Sequence, residues 1–80
     1  MPSRQTTIDL RLFASLSLRA PENAAHYPIT PGMSVEALLA QLQISSSEAK
    51  LIFINGVKRD LQTPLKGGER VGLFPPVGGG

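Results

Sequence analysis

The chain has 80 residues, 41% of them hydrophobic, with no Cys and eight Lys or Arg against six Asp or Glu, a formal charge of +2. That length holds one hydrophobic core and not two, and the missing Cys excludes a disulfide framework, a thiolate metal site and a cysteine nucleophile. The basic residues are scattered from Arg4 to Arg70, and one Tyr and three Phe do not interleave with them, which argues against a nucleic-acid-binding surface.

No run approaches the roughly 18 apolar residues of a membrane span. The segment Met1-Pro2-Ser3-Arg4-Gln5 lacks the apolar centre of a signal peptide. The expectation is a cytoplasmic protein with no membrane partner.

Thr6-Thr7-Ile8-Asp9-Leu10-Arg11-Leu12-Phe13 alternates at period two. This predicts a half-buried strand with Ile8, Leu10 and Leu12 on one face and Asp9, Arg11 and Phe13 on the other. Turn residues cluster at Ala20-Pro21-Glu22-Asn23, and His26-Tyr27-Pro28-Ile29 is short, with a proline suited to an edge strand, so a hairpin is expected. Pro31-Gly32 precedes Ser34, a good N-cap. Val35, Leu38, Leu39 and Leu42 then recur at helical spacing, with Glu36 favoured in the first turn, predicting an amphipathic helix over 35–43 that Ser45-Ser46-Ser47 ends.

Leu51-Ile52-Phe53-Ile54 reads as a strand, Asn55-Gly56 as a tight hairpin turn, and Val57-Lys58-Arg59 as its short return. Lys66-Gly67-Gly68-Glu69 is a turn rich in residues that tolerate positive φ, followed by a last strand over 70–74. Pro75-Pro76 stops that strand, because neither proline has an N–H to give to a ladder. The order is two strands, a helix, two short strands, a last strand and a tail. It implies an α+β roll, a mixed sheet with one helix across one face, divided as a domain over 1–75 and a flexible Gly-rich tail over 76–80.

Val77-Gly78-Gly79-Gly80 ends the sequence. The plain reading of three terminal glycines is a frayed end. Against it stands Phe74-Pro75-Pro76-Val77, stiffened by its prolines, which aims a side-chain-free thread away from the domain. Glycines enter channels too narrow for other residues, and the α-carboxylate of Gly80 is the one distinctive reactive group. Ionised at neutral pH, with a reference pKa of about 3.5, it is a poor acyl electrophile until an oxygen becomes a better leaving group. Adenylation by ATP would do this, after which sulfide would give a thiocarboxylate, or an amine an isopeptide.

The run from Lys66 to Gly80 resembles the ending of the MoaD family, the small subunit of molybdopterin synthase, and shares its terminal di-glycine with ThiS, the thiamine sulfur carrier. Leu10 to Ala14, the helix at Ser34 to Leu42, and Ile54-Asn55-Gly56 extend the similarity over nearly the whole chain, and the Phe-Pro-Pro-Val step favours MoaD. The resemblance implies a β-grasp, ubiquitin-like fold and a carrier that is not an enzyme alone. It further implies adenylation of Gly80 by a MoeB-like activating partner that uses ATP, sulfur loading on Gly80, and insertion of the tail, with Gly78 and Gly79 as the slender part, into a MoaE-like large subunit. Gly78 stands where MoaD proteins more often have Ala or Thr, and glycine there is common in ThiS-like tails. A thiamine-type carrier and a ubiquitin-like protein modifier joined through Gly80 therefore stay open beside the molybdopterin role.

Phe13 and Phe74 fall on the outward sets of their strands. With those strands side by side, as in a β-grasp sheet, they form an exposed aromatic patch, expected to bind a partner together with Pro75, Pro76 and Val77. The alternative is that Phe13 only covers a sheet end. His26 is given no role, the acidic residues are dispersed without metal-ligand spacing, and Lys66-Gly67-Gly68 lacks the spacing of a phosphate loop. No metal and no bound cofactor are expected.

Overall fold

The computed structural model describes residues 6–76. Five strands form one sheet in the order β2-β1-β5-β3-β4, with β1 at Thr6–Leu12, β2 at Tyr27–Ile29, β3 at Leu51–Ile54, β4 at Val57–Lys58 and β5 at Arg70–Phe74. The central pair β1 and β5 runs parallel; every other neighbouring pair is antiparallel. One α-helix is present among the described residues, α1 at Val35–Leu42. This is the mixed sheet with one main helix expected from the sequence.

Register and alternation set what each face carries. Leu10 lies beside Val71, which lies beside Ile54; Leu12 lies beside Leu73, which lies beside Ile52. These rows, with Ile8 and Ile29, are buried and join Val35, Leu38 and Leu39 of α1 in one core. Fully burying a side chain of this size is worth about 1.5–3 kcal/mol over leaving it in water, so these rows hold the helix to the sheet. Gln41 of α1 also donates from Nε2 to the Tyr27 hydroxyl at 2.9 Å, tying the helix to the edge strand β2.

Helix α1 begins where the sequence places it. The Ser34 side chain accepts from the Ala37 N–H at 3.1 Å. The N–H groups of Val35 and Glu36 donate to the carbonyls of Thr63 and Leu61, so the donors a helix start leaves open are met by the loop before β5. The helix ends at Leu42, one residue short of the expected span. Gln43 takes the left-handed conformation (φ 61°), and the Ile44 N–H bonds back to the Leu39 carbonyl, closing the last turn over the buried Ile44.

Two differences from the sequence reading occur between β1 and β2. The first strand stops at Leu12 because Ala14 turns to positive φ (54°) and opens a 3₁₀ helix, Ala14–Arg19; a second, Ala24–His26, precedes β2. The connection is thus wider than a tight hairpin, although β1 and β2 do pair antiparallel. The spacing hides the first of these elements, since only Leu16 in it is buried. The return arm after Asn55-Gly56 is two residues and excludes Arg59. Asn55 (φ 53°) and Gly56 (φ 83°) make the tight turn that their pairing signals.

Candidate functional site

The side of the sheet away from α1 carries the residues left over by the buried rows. Arg11, Gly72, Phe53 and Lys58 lie side by side across β1, β5, β3 and β4; Asp9 pairs with Arg70, and Phe74 with Leu51. Phe13 continues this face past the end of β1, its N–H donating to the Leu73 carbonyl at 3.1 Å and so prolonging the parallel ladder by one residue.

That extension brings Phe13 abreast of Phe74. Their rings stack with centroids 4.3 Å apart and planes 4° from parallel, and Phe53 meets Phe74 edge to face at 5.5 Å and 82°. A β-carbon on Gly72 would stand 3.5 Å from the Phe13 ring and 3.6 Å from the Phe74 ring. The two rings therefore lie face to face, both in contact range of Gly72. Phe13 retains 39% exposure despite the stack, so the patch faces solvent as the alternation predicts.

Charged groups border the rings. Arg11 grips Asp9 with Nη2–Oδ2 at 3.0 Å, and this hydrogen bond holds the Asp9 carboxyl below the usual carboxylate range, with Arg70 adding to the effect. The Arg70 N–H is fixed by the Asn55 side chain at 2.9 Å. Between the rings and the arginines lies a hollow of about 250 Å³, lined by Arg11, Phe13, Phe53, Arg70, Gly72 and Phe74 together with Gly56. Phe53 and Gly72 are absent from the sequence-derived patch. Period two places Phe53 opposite Ile52 and Ile54, a signal that was available; Gly72 has no side chain to betray its position.

The chain leaves the sheet at the same end. Strand β5 is flanked by β1 and β3, and Pro75 breaks its ladder directly after Phe74. Pro75 and Pro76 border a second, wider groove with Ser15, Leu16, Leu18, Arg19, Ser47 and Glu48. Leu18 is 89% exposed there. Arg19 Nη1 reaches Glu48 Oε2 at 2.9 Å. The Glu48 carboxyl is held below its ordinary value, first by the Ser45 N–H and then by Arg19. Leu18 and this pair belong to no sequence motif. Pro75 and Pro76, expected to join the aromatic patch, follow Phe74 in the chain but line this separate groove, which holds none of the three phenylalanines, whereas Val77, Gly78, Gly79 and Gly80 lie outside the described residues.

Among the described residues no group of His, Asp and Glu is placed to hold a metal ion, and no helix is long and apolar enough to cross a membrane. His26 sits exposed before β2, outside the lining of the hollow and close enough to Asp9 to help lower its pKa.

No curated protein matches the sequence at a significant level. Solved structures share the fold. A Haloferax volcanii protein, HVO 2177, superposes with a TM-score of 0.74 at 22% identity, over 95% of this chain and 88% of its own. A Pyrococcus furiosus protein described as a candidate molybdopterin converting factor, subunit 1, superposes with a TM-score of 0.64, also at 22% identity, over 90% of this chain and 99% of its own. At that identity the likeness establishes the β-grasp fold alone. The model of the ThiS family, in contrast, matches residues 10–80, nearly the whole sequence and the glycine tail with it. The chain belongs to the ThiS family, the ThiS/MoaD type of small ubiquitin-like sulfur carrier.

Proposed function

We propose that this chain carries sulfur on Gly80 for molybdopterin synthesis, as the small subunit of a molybdopterin synthase. The observation that carries the reading is the family match running through Gly80, behind a Phe74-Pro75-Pro76-Val77 arm that starts beside an exposed aromatic patch. The name of the Pyrococcus furiosus neighbour favours the molybdopterin branch. In this reading a MoeB-like partner binds the patch and uses ATP. The Gly80 carboxylate attacks the α-phosphorus, pyrophosphate leaves, and a sulfur nucleophile then displaces AMP to leave a thiocarboxylate. The loaded tail enters a MoaE-like large subunit, which holds the pterin precursor. Gly78 and Gly79 supply the narrow thread, and covalent geometry limits residues 77–80 to a reach of about 14 Å beyond Pro76.

The thiamine branch is the second reading, favoured by the glycine at position 78. Incubation with the cognate activating enzyme, ATP and a sulfur donor is expected to add about 16 Da at Gly80, the mass of exchanging oxygen for sulfur. An unchanged mass, with the enzyme shown active on another carrier, rejects the proposal. Persistent higher-mass conjugates after boiling in reductant would instead indicate a protein modifier. Supplying the loaded carrier to a MoaE-like subunit with pterin precursor, and separately to a thiazole-forming synthase, distinguishes the two branches by which product appears.

A further inference from the structure

Among the described residues, the outer face of the sheet carries Arg11, Lys58 and Arg70 against one acid, Asp9, which Arg11 already engages. Neither Arg70 nor Lys58 makes a salt bridge among the described residues. The cations stand around aromatic rings, and the orientation of those rings decides what they attract. Phe13 and Phe74 spend their facing surfaces on each other, and Phe53 turns its ring at 82° to Phe74. The rim of the stacked pair is ring edge. An aromatic edge carries the positive part of the ring quadrupole, so edges and guanidinium groups favour the same thing, a negatively charged oxygen.

From this we infer that the hollow between the rings and Arg70 receives a carboxylate side chain from an acidic surface of the protein that docks on this face. The inference rests on the carrier reading for the docking event and adds the chemistry of the partner's contact surface. Charge complementarity supplies the occupant: a net positive face with an apolar floor fits carboxylates set beside aliphatic groups. A single-stranded nucleic acid fits less well. Base stacking needs open ring faces, and a phosphate backbone needs a track of cations rather than two arginines at one hollow.

The first test uses the free protein and needs no activating enzyme. Amide shifts are followed by NMR while the protein is titrated with a short peptide of glutamates around a central leucine, with the same peptide carrying lysines in place of glutamates, and with a single-stranded oligonucleotide. The acidic peptide is expected to move the Arg70, Gly72 and Phe74 signals at millimolar concentration, the lysine peptide to leave them in place, and the double variant Arg70→Glu, Lys58→Glu to abolish the response. Equal responses to the two peptides, no response to the acidic one, or a stronger response to the oligonucleotide each overturn the inference.

The second test uses the cognate activating enzyme. The double reversal is expected to raise KM for the carrier by roughly tenfold with kcat retained, and to flatten the dependence of KM on salt. Lys50→Glu with Lys66→Glu makes the same net change at residues that do not line the hollow and is the control. A KM raised by Phe74→Ala but not by the double reversal rejects the acidic contact and leaves the carrier reading intact. If no variant, nor the parent chain, is adenylated, the carrier reading fails, and the peptide titration still decides the inference. Unfolding midpoints of all variants separate docking effects from loss of fold.

Discussion

The Phe13 ring stacks on that of Phe74 at 4.3 Å, although the two residues lie at opposite ends of the described chain. The parallel β1–β5 pair makes this possible, because extending the Leu12–Leu73 register by one residue sets the rings abreast. The contact therefore depends on the central ladder and should couple energetically. In a double-mutant cycle of Phe13→Ala and Phe74→Ala, the coupling measured by denaturant unfolding is expected at about 0.5–1.5 kcal/mol, the worth of an aromatic pair beyond its buried area. Additive single losses would show that the rings contribute surface without mutual support.

Leu65 is fully buried in a segment with no regular structure. Its N–H donates to the Met33 carbonyl at 2.8 Å and its carbonyl accepts from Gly32, pinning the loop beneath the start of α1. Leu65→Ala is expected to cost about 2–5 kcal/mol, as large-to-small changes at buried sites do. For an 80-residue domain this is a large share of total stability. Equilibrium urea unfolding checks it, and a loss under about 1 kcal/mol would mean the loop collapses onto the gap.

Leu65 also shows where sequence reasoning runs out. The row Ile8-Leu10-Leu12 and its partners Val71 and Leu73 are legible because a strand repeats every two residues, and Ser34 with Val35, Leu38 and Leu39 because a helix start has a side-chain signature. A single leucine in a loop repeats nothing, so its burial follows only from tertiary contacts. The same holds for the 3₁₀ helix at Ala14–Arg19, whose start depends on the positive φ of Ala14, a conformation its residue type does not advertise. On the outer face, alternation locates Phe13 and Phe74. The stack itself needs the parallel pairing of β1 with β5, which no local pattern encodes. The hollow needs Gly72, where the missing side chain is the feature.

Glu69 anchors the turn before β5, its carboxylate accepting from the N–H groups of Lys66 at 2.8 Å and Gly67 at 2.7 Å. Burial pushes its pKa up, but these backbone bonds together outweigh that, and the carboxyl lies below its ordinary 4.5. A carboxyl whose folded pKa is depressed contributes stability that is present above the unfolded value and is lost as pH falls through the folded one. Glu69→Gln is therefore expected to lower stability at pH 7, with the gap to the parent chain narrowing as pH drops below 4.5. Unfolding midpoints measured across that window test the sign; a gap that widens on acidification contradicts it.

Removing Gly79 and Gly80 separates binding from chemistry. The core and the aromatic patch are complete within residues 6–76, so the shortened chain is expected to keep the unfolding midpoint of the parent. Its terminal carboxylate, now on Gly78, stops about 7 Å short of the position adenylated in the proposed reaction, yet the chain retains Phe13, Phe53 and Phe74 for docking. It should then act as a competitive inhibitor of the full chain at the activating enzyme, with an inhibition constant within about tenfold of the parental Kd, a margin of about 1.4 kcal/mol for contacts made by the tail itself. Adding Phe74→Ala to the shortened chain is expected to weaken that inhibition further, since truncation at an aromatic anchor of an interface commonly costs about 2 kcal/mol or more, or about thirtyfold. Inhibition that vanishes on tail removal alone would assign the recognition to the glycines, and the sheet face would then serve some other contact.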